Sequence, residues 1–456
     1  MKESLTGQFG RIIGLFFGLC TVLTVWFQIE TVHQLEGWRW RFQTAAVWDW
    51  GVTGIWIMMT LTLVWACIKT EVSWIKMVLL FVLGVTVQWG PVLSTGEGIS
   101  GLEDRALTTG HREFSVIASH QLDFMQVLEH YETLASAPSQ RFARSKPPGQ
   151  LMGYMLFERL ADRIPFSVDT SNEHVVSQAH GKLVRVLALV MPLLAALSLL
   201  LVYRLAVYFV KMEQAIGIAI AYALTPSFAL IQLHFDQAVY PLLCLGMWLW
   251  TVRTGRTWAE GLGLGILIYL SIFISFSLLP AVLLLPFLLW MFNRRPRLAW
   301  GLGVISGGLS MLCLGLFGGY LPWVRYSAAM VHHSTWKNWI WDPWLVAQFS
   351  LLNGVEWLWW IGGPLVSLML IDTCRLDSSL NLPLKRLGWS LLMVFILLFT
   401  FGQTIGEVAR LWCFLVPLGL IWGGGQIGRY PKWILGTAVV LQSLLIAGFR
   451  HSQDFW

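Results

Sequence analysis

Charge is what this chain has least of. Of its 456 residues, 12% are Asp, Glu, Lys or Arg, against about 25% in ordinary soluble domains. A globular core under a solvated polar coat is therefore excluded. Cysteine is sparse as well: Cys20, Cys67, Cys244, Cys313, Cys374 and Cys413. Most lie within apolar runs, where a thiol behaves as a small hydrophobe. No CxxC pair occurs, so neither a disulfide framework nor a zinc site is indicated. Ten-residue segments of alternating polarity, the mark of a membrane β-barrel, are missing. So are a P-loop, a Rossmann fingerprint, HExxH and GxSxG in a suitable context, which leaves soluble nucleotide-driven chemistry without a motif. No small-residue cleavage site follows the first apolar run, so a retained span is expected there, not a cleaved signal peptide.

What is present is hydrophobic length. The chain is 56% hydrophobic, and apolar runs near the ~20 residues that cross ~30 Å of hydrocarbon recur along it. The expectation is an all-α membrane protein, a polytopic bundle of about 13 transmembrane helices with an external loop of juxtamembrane helices. The spans fall at 11–29, 47–67, 75–93, 183–203, 214–233, 237–252, 259–276, 277–292, 299–319, 354–372, 388–402, 411–427 and 432–448. Pro280 and Pro286 interrupt the 259–292 pair.

Lys and Arg collect in alternate short loops: Lys69 and Lys76, Arg204 and Lys211, Arg253 and Arg256, Arg294, Arg295 and Arg297, Lys385 and Arg386. Those loops are expected to be cytoplasmic, with the N-terminus, which puts the 94–182 loop outside a cell (plasma) membrane. The net charge of +6 is then a topology signal, and no nucleic-acid partner is expected. All ten His fall outside on this topology. The 27 Trp suit interfacial belts; aromatic rings also stack on sugars, and both uses stay open.

The longest polar interval runs from His111 to Gly149. Phe124, Val127, Leu128 and Tyr131 recur at helical spacing, so 113–133 is expected to form one or two amphipathic helices on the membrane surface. Pro147 and Pro148 stiffen the chain after a small-residue linker. Leu151 to Leu160 is apolar but too short to span, so it reads as a second surface or re-entrant helix.

Several residues could carry chemistry. His111 opens Gly-His-Arg-Glu-Phe, and Glu113 follows it beside Phe114. A carboxylate against apolar surface is held more basic, which suits a general base; a solvated loop acid would have the same sequence. Asp123 is either a helix N-cap or a catalytic acid. Glu103 and Asp104 are alternatives nearer the membrane. Lys146, before Pro-Pro-Gly, is a point charge on a stiff turn that could hold a phosphate. His234 and Asp236 sit at the mouth of two spans, where an acid faces either the interface or a polar cavity. Glu407 and Arg410 are either a rim ion pair or a site facing an anionic head group.

In order and topology these segments resemble the GT-C superfamily of integral-membrane glycosyltransferases, which includes protein O-mannosyltransferases and lipid A aminoarabinose transferases. Gly110 to Phe114, then Lys146 to Gly149, then a short apolar helix and Arg185 opening a span, follow the order of that family. Thr225-Pro226 through Asp236-Gln237, and Gly406 to Trp412, are similar to later family segments. The acidic doublet differs: Glu103-Asp104 lacks the following aromatic, and Glu113-Phe114 is preceded by Arg112. The resemblance implies a 75–456 core with its catalytic loop at 94–182, preceded by two additional helices in 1–74. It implies a polyprenyl-phosphate sugar donor and a glycan, lipid or protein acceptor outside the bilayer. A carboxylate, by preference Glu113 over Asp123 or Asp104, would take the acceptor proton in an inverting transfer. His111, Lys146, His234, Asp236, Glu407 and Arg410 would bind substrate, with Lys146 and Arg410 on the lipid phosphate. No cofactor is required; some relatives use a divalent cation, for which Glu113, Asp123 or Asp236 would serve. The alternatives are a lipid-carrier protein of flippase or ligase type, and a scaffold of the same fold without activity.

Overall fold

A computed structural model of the chain describes residues 5–29, 38, 40, 42, 47–108, 110–120, 123–137, 141–165, 173–253, 255–292, 295–336, 342–374, 382–401, 404, 406–424 and 430–452. Among them every regular element is a helix. The first half contains α1 (Leu5–Trp26), α2 (Trp50–Lys69), α3 (Ser73–Ser94), α4 (Gly98–Thr108), α5 (His111–Ala118), α6 (Phe124–Ser136), α7 (Pro148–Asp162), α8 (Gln178–Ala206), α9 (Met212–Ala223), α10 (Pro226–Leu230) and α11 (Phe235–Arg253). The second contains α12 (Trp258–Ile274), α13 (Leu279–Met291), α14 (Leu298–Phe317), α15 (Pro322–Trp336), α16 (Pro343–Ile361), α17 (Gly363–Cys374), α18 (Leu382–Phe401), α19 (Val408–Leu411), α20 (Val416–Gly423) and α21 (Lys432–Ser452).

The protein is a helical membrane protein, and the span count differs from expectation. Among the described residues seven helices are long and apolar enough to cross a bilayer, or eight if α16 and α17, bent by 103°, form one span. The expected thirteen is not reached, and the reason is local. The 214–233 run splits because Pro226 has no N–H to continue α9; Thr225 instead caps a new short helix, and Leu233 takes a φ of 70°. The expected 259–276 and 277–292 spans form α12 and α13 on either side of a 3-10 turn at Phe276–Leu278, but with 17 and 13 residues each is too short to count as a span. Of the two helices expected before residue 75, α1 packs on α17 and α21, and α2 on α3 and α21. The Trp26 indole donates to the Leu444 carbonyl at 2.9 Å.

In lipid, helices cohere through close packing of small residues and through polar contacts. Both devices are present. Gly261 and Gly265 of α12 lie against the backbone of α14 at Trp300 and Val304, while Gly303 and Gly307 lie against α12 at Trp258 and Leu262. A Cβ at any of the four would meet a main-chain carbonyl. Gly265→Val is therefore expected to cost about 1–3 kcal/mol by overpacking. Gly301, with open space around it, is the control: Gly301→Val should leave the unfolding temperature of the purified protein within a few degrees, and Gly265→Val should lower it. Elsewhere three buried glutamines bind α3 to α8 and to the broken α9–α11 region. Gln88 donates to the Pro192 carbonyl at 2.9 Å, Gln237 donates to the Gln88 amide oxygen at 3.2 Å, and Gln232 donates to the Gln88 carbonyl.

The polar interval between α3 and α8 folds as helices laid on one end of the bundle. α4 and α5 rest on α8, α7 rests on α8 and α12, and α15 packs over the segment before α7.

Candidate functional site

The site is organised around six residues, 142–147, which form a 3-10 turn at Ala143–Ser145 and lead into α7. Each neighbouring element reaches this turn with a polar group. From α5, the Glu113 carboxylate accepts the amide of Phe142 at 2.9 Å and that of Ala143 at 2.6 Å, one on each oxygen. From α6, the buried Tyr131 hydroxyl lies 3.1–3.3 Å from the carbonyls of Ala143, Lys146 and Pro147, and its single proton serves one of them at a time. From α15, Arg325 donates to the Arg144 carbonyl at 2.6 Å and to Glu132 at 3.0 Å. Arg144 in turn donates to the carbonyls of Ala135, Ser136 and Ala137, closing the C-terminus of α6. A turn held from so many sides has few conformations to lose, which is the condition for placing a charge to a fraction of an ångström.

Lys146 leaves this turn towards α11. Its ammonium donates to the Tyr240 hydroxyl at 3.3 Å and stands 5.7 Å from the ring centre. Pro148 supplies the first residue of α7, where a missing N–H costs nothing. Gly149 is required because a Cβ there would meet the Phe273 carbonyl of α12. A ring column completes the packing: Phe114 of α5 stacks on Tyr154 of α7 at 5.6 Å, and Tyr154 stacks on Phe235 at 5.1 Å, at the start of α11.

Burial pushes the Glu113 carboxyl above the usual carboxylate range, against the opposing pull of the amides of residues 141–143 and the Arg144 charge. Burial likewise raises the Tyr131 phenol, so it stays protonated.

The other candidates are placed as follows. Asp123 is exposed and accepts the Met125 amide at 2.8 Å as the N-cap of α6. Asp104 is exposed on α4, while its neighbour Glu103 pairs with Arg185 of α8 at 2.5 Å. His234 is half-buried between α10 and α11. The side chains of His111 and Asp236 lie outside the described residues. Glu407 and Arg410 form an ion pair at 3.4 Å beside α19. Glu356 of α16, buried to 2% exposure, accepts the Trp40 indole at 2.8 Å and the Ala409 amide at 3.3 Å. It holds the Arg410 turn much as Glu113 holds the Lys146 turn. Both turns approach α11, since α19 packs on that helix. Among the described residues no three His, Cys, Asp or Glu side chains come together as a metal site.

One pair looks like a nucleophile and its base. Ser115 and His180, both fully buried, are 2.9 Å apart. The Val176 amide donates to His180 Nδ1 at 3.4 Å, so in the neutral ring the proton sits on Nε2 and is given to Ser115. Ser115 passes its own proton to the Arg112 carbonyl at 3.2 Å. The imidazole is a donor to the serine, not a base for it, and the pair joins α5 to α8.

Glu132, Arg144, Tyr240, Arg325 and Glu356 are not indicated by the sequence, and Tyr131 is indicated only as part of an apolar helix face. Glu356 carried a signal: it is the one acid inside the 19-residue apolar helix α16, and an ionisable group at such a place requires an explanation.

No protein-family model matches this chain, and no curated protein matches it significantly.

Proposed function

We propose that the protein is a GT-C-like membrane glycosyltransferase that moves a sugar from a polyprenyl-phosphate donor to a hydroxyl of a glycan, lipid or protein acceptor at the external face of a cell membrane. The observation that carries this reading is the 142–147 turn, which couples the Glu113 carboxylate to the Lys146 ammonium through two residues of backbone and faces α11. Glu113 takes the proton of the acceptor hydroxyl as its oxygen bonds to the anomeric carbon. The bond from that carbon to the phosphate oxygen breaks, and the lipid phosphate leaves with the electron pair, inverting the centre. Lys146 and Arg410 stabilise the charge that gathers on the phosphate, the first as a point charge and the second as a planar fork. Tyr240 fixes the direction of the lysine.

A second reading, a scaffold or lipid-carrier protein, has its own observation. Both oxygens of Glu113 already accept an amide, so the acid is explained as the cap of the turn. The purified chain, reconstituted in vesicles and given a panel of labelled polyprenyl-phosphate sugars and mixed membrane acceptors, distinguishes the two. Label is expected to move to acceptor above the protein-free background. Donor bound with no label moved from any member of the panel would reject the transferase and leave the carrier or scaffold.

A further inference from the structure

An open groove of about 650 Å³ lies between α6 and α15, beside the 142–147 turn. Glu132, Ser136 and Arg144 line one wall, and Arg325, Ser327, His332 and Thr335 line the other, so two guanidinium groups face one carboxylate. Its charge is cationic. Arg325 spends its charge on Glu132 at 3.0 Å; the hydrogen bonds of Arg144 go to neutral carbonyls and its charge acts on Glu113 only through space, so a further anion can still pair with it directly. Outside the lining, Arg141 places its guanidinium 4.4 Å over the ring of Trp336, on which His332 stacks at 6.3 Å.

The uncharged groups are poised to accept. Ser136 gives its proton to the Glu132 carbonyl at 2.6 Å, and Thr335 gives its proton to the Val331 carbonyl at 2.9 Å. Each hydroxyl therefore offers lone pairs and no hydrogen. His332 Nε2 faces the Arg141 carbonyl at 3.0 Å, which puts the proton of the neutral ring on Nε2 and leaves Nδ1 as an acceptor. A ligand that matches must bring negative charge for Arg144 and several hydrogen-bond donors for the acceptors. A sugar bearing a phosphate or carboxylate has both; inorganic phosphate brings only the one or two O–H groups of the anion itself, and a neutral sugar lacks the charge.

We propose that this groove binds an anionic saccharide. On the transferase reading the ligand is the acceptor, because Arg144 directly follows the residue whose amide Glu113 holds. The site depends on that reading only for this role, so it is tested by binding and not by transfer. The same chemistry reaches the groove either as an anionic glycolipid head group or as a soluble acidic sugar.

The test is calorimetric titration of the full chain in phosphatidylcholine nanodiscs with glucose 6-phosphate, glucose and inorganic phosphate. Glucose 6-phosphate is expected to bind at least tenfold more tightly than either of the others. Ser327→Trp, which fills the groove from an exposed position, is expected to weaken it at least tenfold. Ser327→Glu, which brings a like charge without bulk, is expected to do the same. Phosphatidylinositol added to the disc that displaces glucose 6-phosphate identifies a lipid head group as the source; undiminished binding identifies a soluble sugar. Equal affinity of the wild type and both Ser327 variants, or no saturable binding of either glucose 6-phosphate or phosphatidylinositol, overturns the proposal. A chain that binds in this way but moves no sugar keeps the groove and loses the transferase.

Discussion

Glu113→Gln is expected to lower sugar transfer by about 10²–10⁴-fold, the usual worth of a positioned general base, while the protein stays folded. Two opposing effects keep the stability change small. Glutamine has one acceptor oxygen where the carboxylate has two, so one of the amides of Phe142 and Ala143 loses its partner, a loss of about 1–3 kcal/mol for a buried donor. Against this, glutamine removes a charge whose burial is unfavourable. The direction of the pH dependence follows from the same shift. The folded-state value lies above the unfolded one, so the stabilisation due to this group is complete below the unfolded value and is lost as pH rises through the folded value. Catalysis runs the opposite way, because a base works only when deprotonated. Wild-type transfer should therefore rise with pH through a value above the ordinary ~4.3 of a glutamate, and the residual activity of the glutamine variant should lack that limb. Full transfer in Glu113→Gln, with any change confined to its melting temperature, would leave Glu113 as the cap of a turn and nothing more.

Glu132→Ala should destabilise the protein by about 3 kcal/mol, and Arg325→Met by less. The figure is the low end for breaking a buried pair, because the two partners are unequally covered. The Arg325 side chain is 3% exposed and that of Glu132 is 47% exposed. Without Glu132 the guanidinium stays buried with its charge unmatched, kept by the Arg144 carbonyl and the face of the Tyr131 ring at 5.9 Å. Without Arg325 the glutamate turns into water, and the loss is one hydrogen bond to a carbonyl, about 1–2 kcal/mol. The double variant should be no less stable than Glu132→Ala alone. Thermal unfolding in one detergent measures all three. Equal losses for the two single variants would mean that α15 is held by its apolar contacts, with the ion pair incidental.

How far each feature could be read in advance follows from the range of the force that makes it. Helicity is local. The apolar spacing of Phe124, Val127 and Tyr131 places a helix at α6, Asp123 caps it, and Pro148 starts α7. Two short helices, α5 and α6, accordingly occupy the interval expected to hold one or two. The count of spans needed more than hydropathy, since the 214–233 run is mostly apolar while Pro226 breaks its hydrogen-bond ladder. The acid at 113 was legible as an acid near apolar surface. Its partners were not, because they are backbone amides, which every residue except proline possesses and no composition reveals. Arg325 and Glu132 are 193 residues apart, and no periodicity links them.

By itself, then, the sequence determined a helical membrane protein with one long polar interval and the residues that interval contains, because hydrophobic length and helix capping act over a few neighbouring residues. Only the tertiary structure decided that residues 142–147 are the hub, that Glu113 and Glu356 each hold a short turn bearing a cation, and that α15 closes a groove over Arg144. Those are contacts between segments that loop closure brings together at an entropic cost, and they persist because buried polar groups in so apolar a chain have no water to bond to and must find one another.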